Sequence, residues 1–219
     1  MKKGDIPRAY QDGWVEFFDL RIKVSQDCLI PRLESELLVE RALERFPKQG
    51  KILDLCTGSG ALGLALKSER KALKVTLSDI SKKALAIARE NASMNQLDVE
   101  IVEGDFLTPF IGEKFDGIIC NPPYITEEEY KHLDPSVKDF EPKLALTGGE
   151  DGLFFYKKLS QSVDAILNPS GILCLEIGKD QGKSVPLLFD ATIWVKKVVE
   201  KDYSGHDRFF FLEKSSEVQ

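Results

Sequence analysis

The amino-acid sequence predicts an α/β fold: a mainly parallel sheet with helices on both faces, preceded by an N-terminal β-hairpin. Three observations lead there. From residue 51, short apolar runs of strand length alternate with longer segments of helical period, which implies parallel neighbours joined by right-handed crossovers. Ahead of that region, two short stretches alternate apolar and polar residues on either side of Phe18-Asp19. No repeat or low-complexity tract interrupts the 219 residues. The chain therefore divides into a hairpin and lead-in segment, residues 1–35, and one sheet domain, residues 36–219.

Each element follows from its local pattern. Trp14 to Phe17 and Leu20 to Val24 read as the hairpin strands, and Leu38, Ala42, Leu43 and Phe46 give helical spacing from Glu36 to Phe46. Lys51 to Leu55 is a strand, followed by a helix from Ala61 to Ser68; Lys74 to Leu77 is a strand, followed by a helix from Ser81 to Met94. Val99 to Val102, Phe115 to Cys120 and Gly171 to Glu176 are further strands, the last two separated by a helix from Gly152 to Leu167. Thr126 with Glu129 forms a capping box for a short helix. Trp194 to Lys201 and Arg208 to Glu213 close the chain as an antiparallel hairpin.

Composition excludes several classes. With 42% hydrophobic and 30% charged residues the chain is neither disordered nor fibrous. Cys28, Cys56, Cys120 and Cys174 lack any metal-ligand spacing and read as free buried thiols of a reducing cytoplasm. Only His132 and His206 are present, so no multi-histidine metal site exists and no metal is expected. The basic start at Met1, Lys2 and Lys3 is followed by no apolar run, which argues against export and a membrane partner. A formal net charge of −6 weighs against nucleic acid.

In an open parallel sheet the residues just after the strands emerge along one edge, where ligands bind. That edge gathers Thr57-Gly58-Ser59-Gly60, Asp79, Asp105-Phe106 and Asn121-Pro122-Pro123-Tyr124. Gly58 to Gly63 fits G-x-G-x-x-G, which alone is a weak signal: it is also a tight strand-to-helix turn, and as a ligand loop it suits NAD or S-adenosylmethionine, with Asp79 about 20 residues on as the ribose acid. Asp54 and Asp105 place carboxylates where a dinucleotide would put its pyrophosphate. They suit S-adenosylmethionine, a cationic ligand without phosphate, with Phe106 against the adenine.

Asn121-Pro122-Pro123-Tyr124 is the sharper signal, although an isolated match is also a proline-stiffened loop. A planar NH2 group has two donors, which the Asn121 side-chain oxygen and the Pro122 carbonyl would receive while Tyr124 stacks on the plane. Amides and aromatic amines both qualify. The sequence has no G-x-S-x-G nucleophile elbow and no phosphate loop of the G-x-x-x-x-G-K-[ST] type.

These residues resemble the HemK/PrmC glutamine methyltransferases, which modify the glutamine of the Gly-Gly-Gln motif in peptide chain release factors. The resemblance runs from about Pro7 to the last strand and includes Leu29 to Glu36, Asp54 to Gly60, Asp79-Ile80-Ser81, Asn121 to Ile125, Glu141-Pro142, Gly148-Gly149 and Asp151-Gly152. Leu175 to Gly178, Gln181-Gly182 and Asp202 to Arg208 look more like the release-factor branch than its ribosomal-protein-modifying relative. The resemblance implies a Rossmann-like class I S-adenosylmethionine-dependent methyltransferase of seven strands, the last antiparallel, with residues 36–219 as its catalytic domain. It also implies a cofactor pocket lined by Cys56 to Gly60, Asp79, Phe106 and Asn121, with S-adenosylhomocysteine as product, and a glutamine held by Asn121 to Tyr124.

Leu33 stands where the family usually has proline and Cys56 where many members have glycine, and neither position is expected to need the special φ of the family residue. The family normally begins with a helical domain of roughly 70 residues, within the size of an independent unit, and the residues read here start after it, which fits a natural short form and a shortened chain alike. If that domain carries part of the release-factor contact, catalysis without it is expected to persist at weaker substrate affinity. Competing readings are an adenine-N-methyltransferase acting on DNA or RNA, a ribosomal-protein glutamine methyltransferase, and a non-catalytic binding module on the same fold.

Overall fold

A computed structural model describes residues 5–216, so the basic Met1–Lys3 stretch lies outside the described residues. The chain runs α1 (Arg8–Asp12), β1 (Trp14–Phe17), β2 (Leu20–Lys23), α2 (Leu33–Arg45), β3 (Gly50–Leu55), α3 (Ala61–Glu69), β4 (Leu73–Asp79), α4 (Lys82–Met94), β5 (Glu100–Glu103) and β6 (Phe115–Cys120). It continues through α5 (Glu127–Lys131), α6 (Pro135–Lys138), α7 (Phe154–Ile166), β7 (Leu167–Glu176), α8 (Ser184–Leu187), β8 (Trp194–Lys201) and β9 (Asp207–Lys214).

Seven strands form one sheet in the order β5-β4-β3-β6-β7-β9-β8. The first five are parallel, and β9 runs antiparallel between β7 and β8. The order reverses between β3 and β6, which puts the ligand-binding crevice beyond their C-terminal ends.

Alternation along the strands builds a core on each face. Ile52, Ile119, Cys174, Phe209 and Phe211 pack with α2, α3, α4 and the hairpin. Leu53, Ile118, Leu173, Phe210 and Leu212 pack with α7 and α8 on the other side. The two-residue hairpin turn holds Phe18 and Asp19 at φ of 50° and 61°, the geometry that matches strand twist. The Thr126–Glu129 capping box forms as the sequence predicts.

Some boundaries move. Helix α2 begins at Leu33 rather than Glu36, and strand β7 begins at Leu167. Leu33 occupies the first helical position, where proline's fixed φ is favourable but another residue fits. Among the described residues no helix is long and apolar enough to cross a membrane.

Candidate active site

The crevice holds a cavity of about 340 Å³, inside the range of roughly 300–1,000 Å³ typical of small-molecule sites. Its wall takes residues from the ends of four strands. Cys56 and Gly58 follow β3, Asp79 ends β4, Asp105 and Phe106 follow β5, and Asn121 with Pro123 follows β6.

The glycine loop is shaped by backbone conformation. Cys56, Gly58 and Gly60 all have positive φ, at 58°, 55° and 87°. This corrects the expectation that Cys56 needs no glycine-like geometry: the chain leaves β3 through the left-handed region, at a cost of about 1–2 kcal/mol for a residue with a Cβ. Cys56 is also half-buried on the cavity wall, unlike Cys28, Cys120 and Cys174, which are buried. A Cβ on Gly58 would meet open space, whereas one on Gly63 would approach Leu77 Cδ2 to 2.2 Å. The first glycine leaves the cavity clear, and the other lets α3 close on β4.

Asp79 fits a ribose. Its Oδ2 accepts from Gly58 N–H and its Oδ1 from Ser81 N–H, each at 2.9 Å. The carboxylate keeps acceptor capacity for a further donor. Burial raises its pKa, against the lowering pull of the Ser81, Gly58 and Ile80 amides.

Asp54 requires correction. It does not line the cavity; its carboxylate is fully buried beneath α3, where Oδ2 accepts from Thr57 Oγ1 at 2.5 Å and Gly63 N–H at 2.8 Å. Its partner Oδ1 is buried without a hydrogen bond. Burial pushes its pKa up to about 7, against the lowering hydrogen bonds of Thr57 and Gly63. It fixes the loop and offers the ligand no exposed charge.

A pH dependence follows. Because the folded pKa lies above the unfolded value, the stability linked to Asp54 is full in acid and is lost as pH rises through about 7. The melting temperature of Asp54→Asn minus that of the parent is therefore expected to grow between pH 5 and 8. A difference that stays flat across that range contradicts the assignment.

Thr57, Ser59 and Gly60 shape the loop from behind the cavity wall, and the Asp105 carboxylate has Lys158 Nζ at 3.3 Å. Lys158, Phe154 and Phe155 come from α7, and Cys28 and Leu29 come from the segment before α2. The sequence offers only a helical apolar period for the first group, and the Leu29–Glu36 stretch is the one signal for the second. Phe106 packs against Phe155 with ring centroids 5.6 Å apart.

Asn121 lines the cavity, and its side-chain amide has a defined polarity. Its Nδ2 donates to Ser35 Oγ at 3.3 Å, and Ser35 Oγ donates to Glu176 Oε2 at 2.7 Å. Among the described residues neither Asn121 Oδ1 nor the Pro122 carbonyl accepts a hydrogen bond from the protein. Pro122 and Pro123 are buried, and of the two only Pro123 lines the cavity, contrary to the expectation for Pro122. Tyr124, expected to stack on the acceptor plane, instead stands outside the cavity lining, its hydroxyl directed to Glu176 Oε1 at 3.4 Å and Arg208 Nη1 at 3.5 Å. Burial and the Glu176 charge raise its pKa. Among the described residues no cluster of His, Cys, Asp and Glu could hold a metal.

Comparison with known proteins adds four findings. A family model described as "Methyltransferase small domain" matches residues 33–138. The chain is similar to the release factor glutamine methyltransferase of Chlamydia trachomatis serovar L2, with 42% identity over 219 residues, 98% of this chain and 75% of that protein. Among solved structures, a methyltransferase from Pyrococcus furiosus shares the fold with a TM-score of 0.69 at 20% identity, covering 90% of both chains. The Thermus thermophilus 16S rRNA N2 G1207 methyltransferase, solved with AdoMet and guanosine, gives a TM-score of 0.64 at 19% identity, covering 92% of this chain and 49% of that one.

Proposed function

This chain belongs to the release factor glutamine methyltransferase family, and from that premise we propose that it transfers a methyl group from S-adenosylmethionine to a glutamine side-chain amide of a peptide chain release factor. The acceptor is the glutamine of the Gly-Gly-Gln motif, and S-adenosylhomocysteine is the second product. The observation that carries this reading is the Asn121 amide, held on the cavity wall with its oxygen free.

The cavity suits the cofactor. Asp79 has acceptor capacity left for a ribose hydroxyl, Gly58 leaves open space beside it, and Phe106 supplies an apolar ring for the adenine. When bound, S-adenosylmethionine supplies an electrophilic methyl carbon on a sulfonium.

The protein must overcome the weakness of a carboxamide nitrogen, whose lone pair is delocalised into its carbonyl. Asn121 Oδ1 and the Pro122 carbonyl receive the two N–H bonds and fix the direction of the nitrogen. Both acceptors favour the positive charge that grows on nitrogen during transfer. No strong base is needed beforehand, because the nitrogen becomes acidic only once methylated. The proline pair keeps the clamp rigid, since neither residue can change φ appreciably. With its four free cysteines the chain suits the cytoplasm, where release factors work.

The test incubates the protein with methyl-labelled cofactor and a release factor, with DNA and RNA oligonucleotides in parallel, and maps the label by mass spectrometry. One methyl on the glutamine of the Gly-Gly-Gln motif is expected. Label on nucleic acid alone, or on another residue of the release factor, overturns the reading.

A further inference from the structure

Asn, unlike a carbonyl, can present either end of its amide. An NH2 turned to the cavity would set donor against donor and repel the substrate nitrogen. Something must therefore choose the orientation, and the two groups behind Asn121 do so.

Ser35 comes from the first turn of α2, and Glu176 ends β7; both are buried, at 4% and 2% exposure. A hydroxyl has one proton and an ionised carboxylate only accepts, so the Ser35 proton is committed to Glu176 Oε2 at 2.7 Å. The Ser35 lone pairs are then what Asn121 meets. Its Nδ2 faces them at 3.3 Å, and a flipped amide would set oxygen against oxygen. The Tyr124 hydroxyl adds a hydrogen bond to Glu176 Oε1; burial raises the Glu176 pKa, against the lowering pull of the Ser35 hydrogen bond and the Arg208 charge.

We propose that Ser35 and Glu176 are positioning residues for methyl transfer, holding the Asn121 amide so that Oδ1 faces the acceptor nitrogen. The proposal rests on the functional reading above, in which Asn121 Oδ1 receives the substrate NH2. Neither residue touches the reacting atoms. The effect of Ser35 reaches the reaction through the Asn121 side chain, so it falls on kcat.

The test measures single-turnover transfer to a release factor, the KM for that protein, and cofactor affinity in Ser35→Ala, Ser35→Thr and Glu176→Gln. Ser35→Ala is expected to lower kcat about 10- to 100-fold, a fraction of what losing the acceptor itself costs, with KM and cofactor affinity unchanged. Ser35→Thr restores the hydroxyl and most of the rate. Glu176→Gln retains the shape, but its NH2 can donate to Ser35 and turn the hydroxyl proton toward Asn121, so kcat falls again.

A Ser35→Ala loss confined to KM, or an unchanged kcat in both Ser35→Ala and Glu176→Gln, overturns the proposal. Asn121→Ala run alongside separates the two levels of the argument. If it loses transfer while Ser35→Ala does not, only the positioning role fails; if neither loses transfer, the functional reading fails as well.

Discussion

Replacing Asn121 by alanine is expected to lower kcat for methyl transfer by about 10²–10³-fold, the usual effect of deleting one oriented hydrogen-bonding group that acts on transition-state charge. The acceptor nitrogen would keep only the Pro122 carbonyl and lose its fixed direction. Cofactor affinity should change little, because Asp79 and the glycine loop do not depend on the Asn121 side chain. Rapid-quench transfer assays and calorimetric cofactor titration measure the two quantities separately. Equal losses in both would mean that Asn121 holds the cofactor rather than the substrate.

Asp79→Ala is expected to act in the opposite way, weakening cofactor affinity by about 10²-fold or more, since each hydrogen bond to a charged group contributes roughly 1.5–3 kcal/mol. The substitution also leaves Gly58 N–H and Ser81 N–H without their carboxylate, which loosens the loop that faces the ligand. At saturating cofactor the rate should recover to within about tenfold of the parent, because the clamp on the acceptor is untouched. A kcat that stays low at saturation would show that Asp79 acts on the chemistry itself.

Much of this arrangement was legible in the residues. Phe115–Cys120 and Trp194–Lys201 were readable to the residue; Lys114 and Asn121 bound the first run and Asp202 ends the second. The gathering of Gly58, Asp79, Phe106 and Asn121 on one edge followed from parallel strands alone. Helices α1, α6 and α8 were missed, because four or five residues are too few to display a helical period.

Asp54 was misplaced for a different reason. It lies within β3, where alternate side chains point to opposite faces. Leu53 and Leu55 join the core beside α7, so Asp54 must face α3, under Gly63, and not the open edge. Strand order tells which edge a residue approaches; only strand phase tells which layer its side chain enters. Ser35 and Glu176 stayed hidden because 141 positions separate them in the chain. Nothing local in either segment marks it as a partner of the other.

The clamp is the centre of the account, and a crystal structure of the protein with S-adenosylhomocysteine and a peptide bearing the Gly-Gly-Gln loop measures it directly. The account predicts the glutamine nitrogen within about 3.2 Å of both Asn121 Oδ1 and the Pro122 carbonyl oxygen, the limit of an ordinary N–H···O bond. A glutamine side chain seated elsewhere in the cavity, or an Asn121 amide turned with Nδ2 toward it, would contradict it.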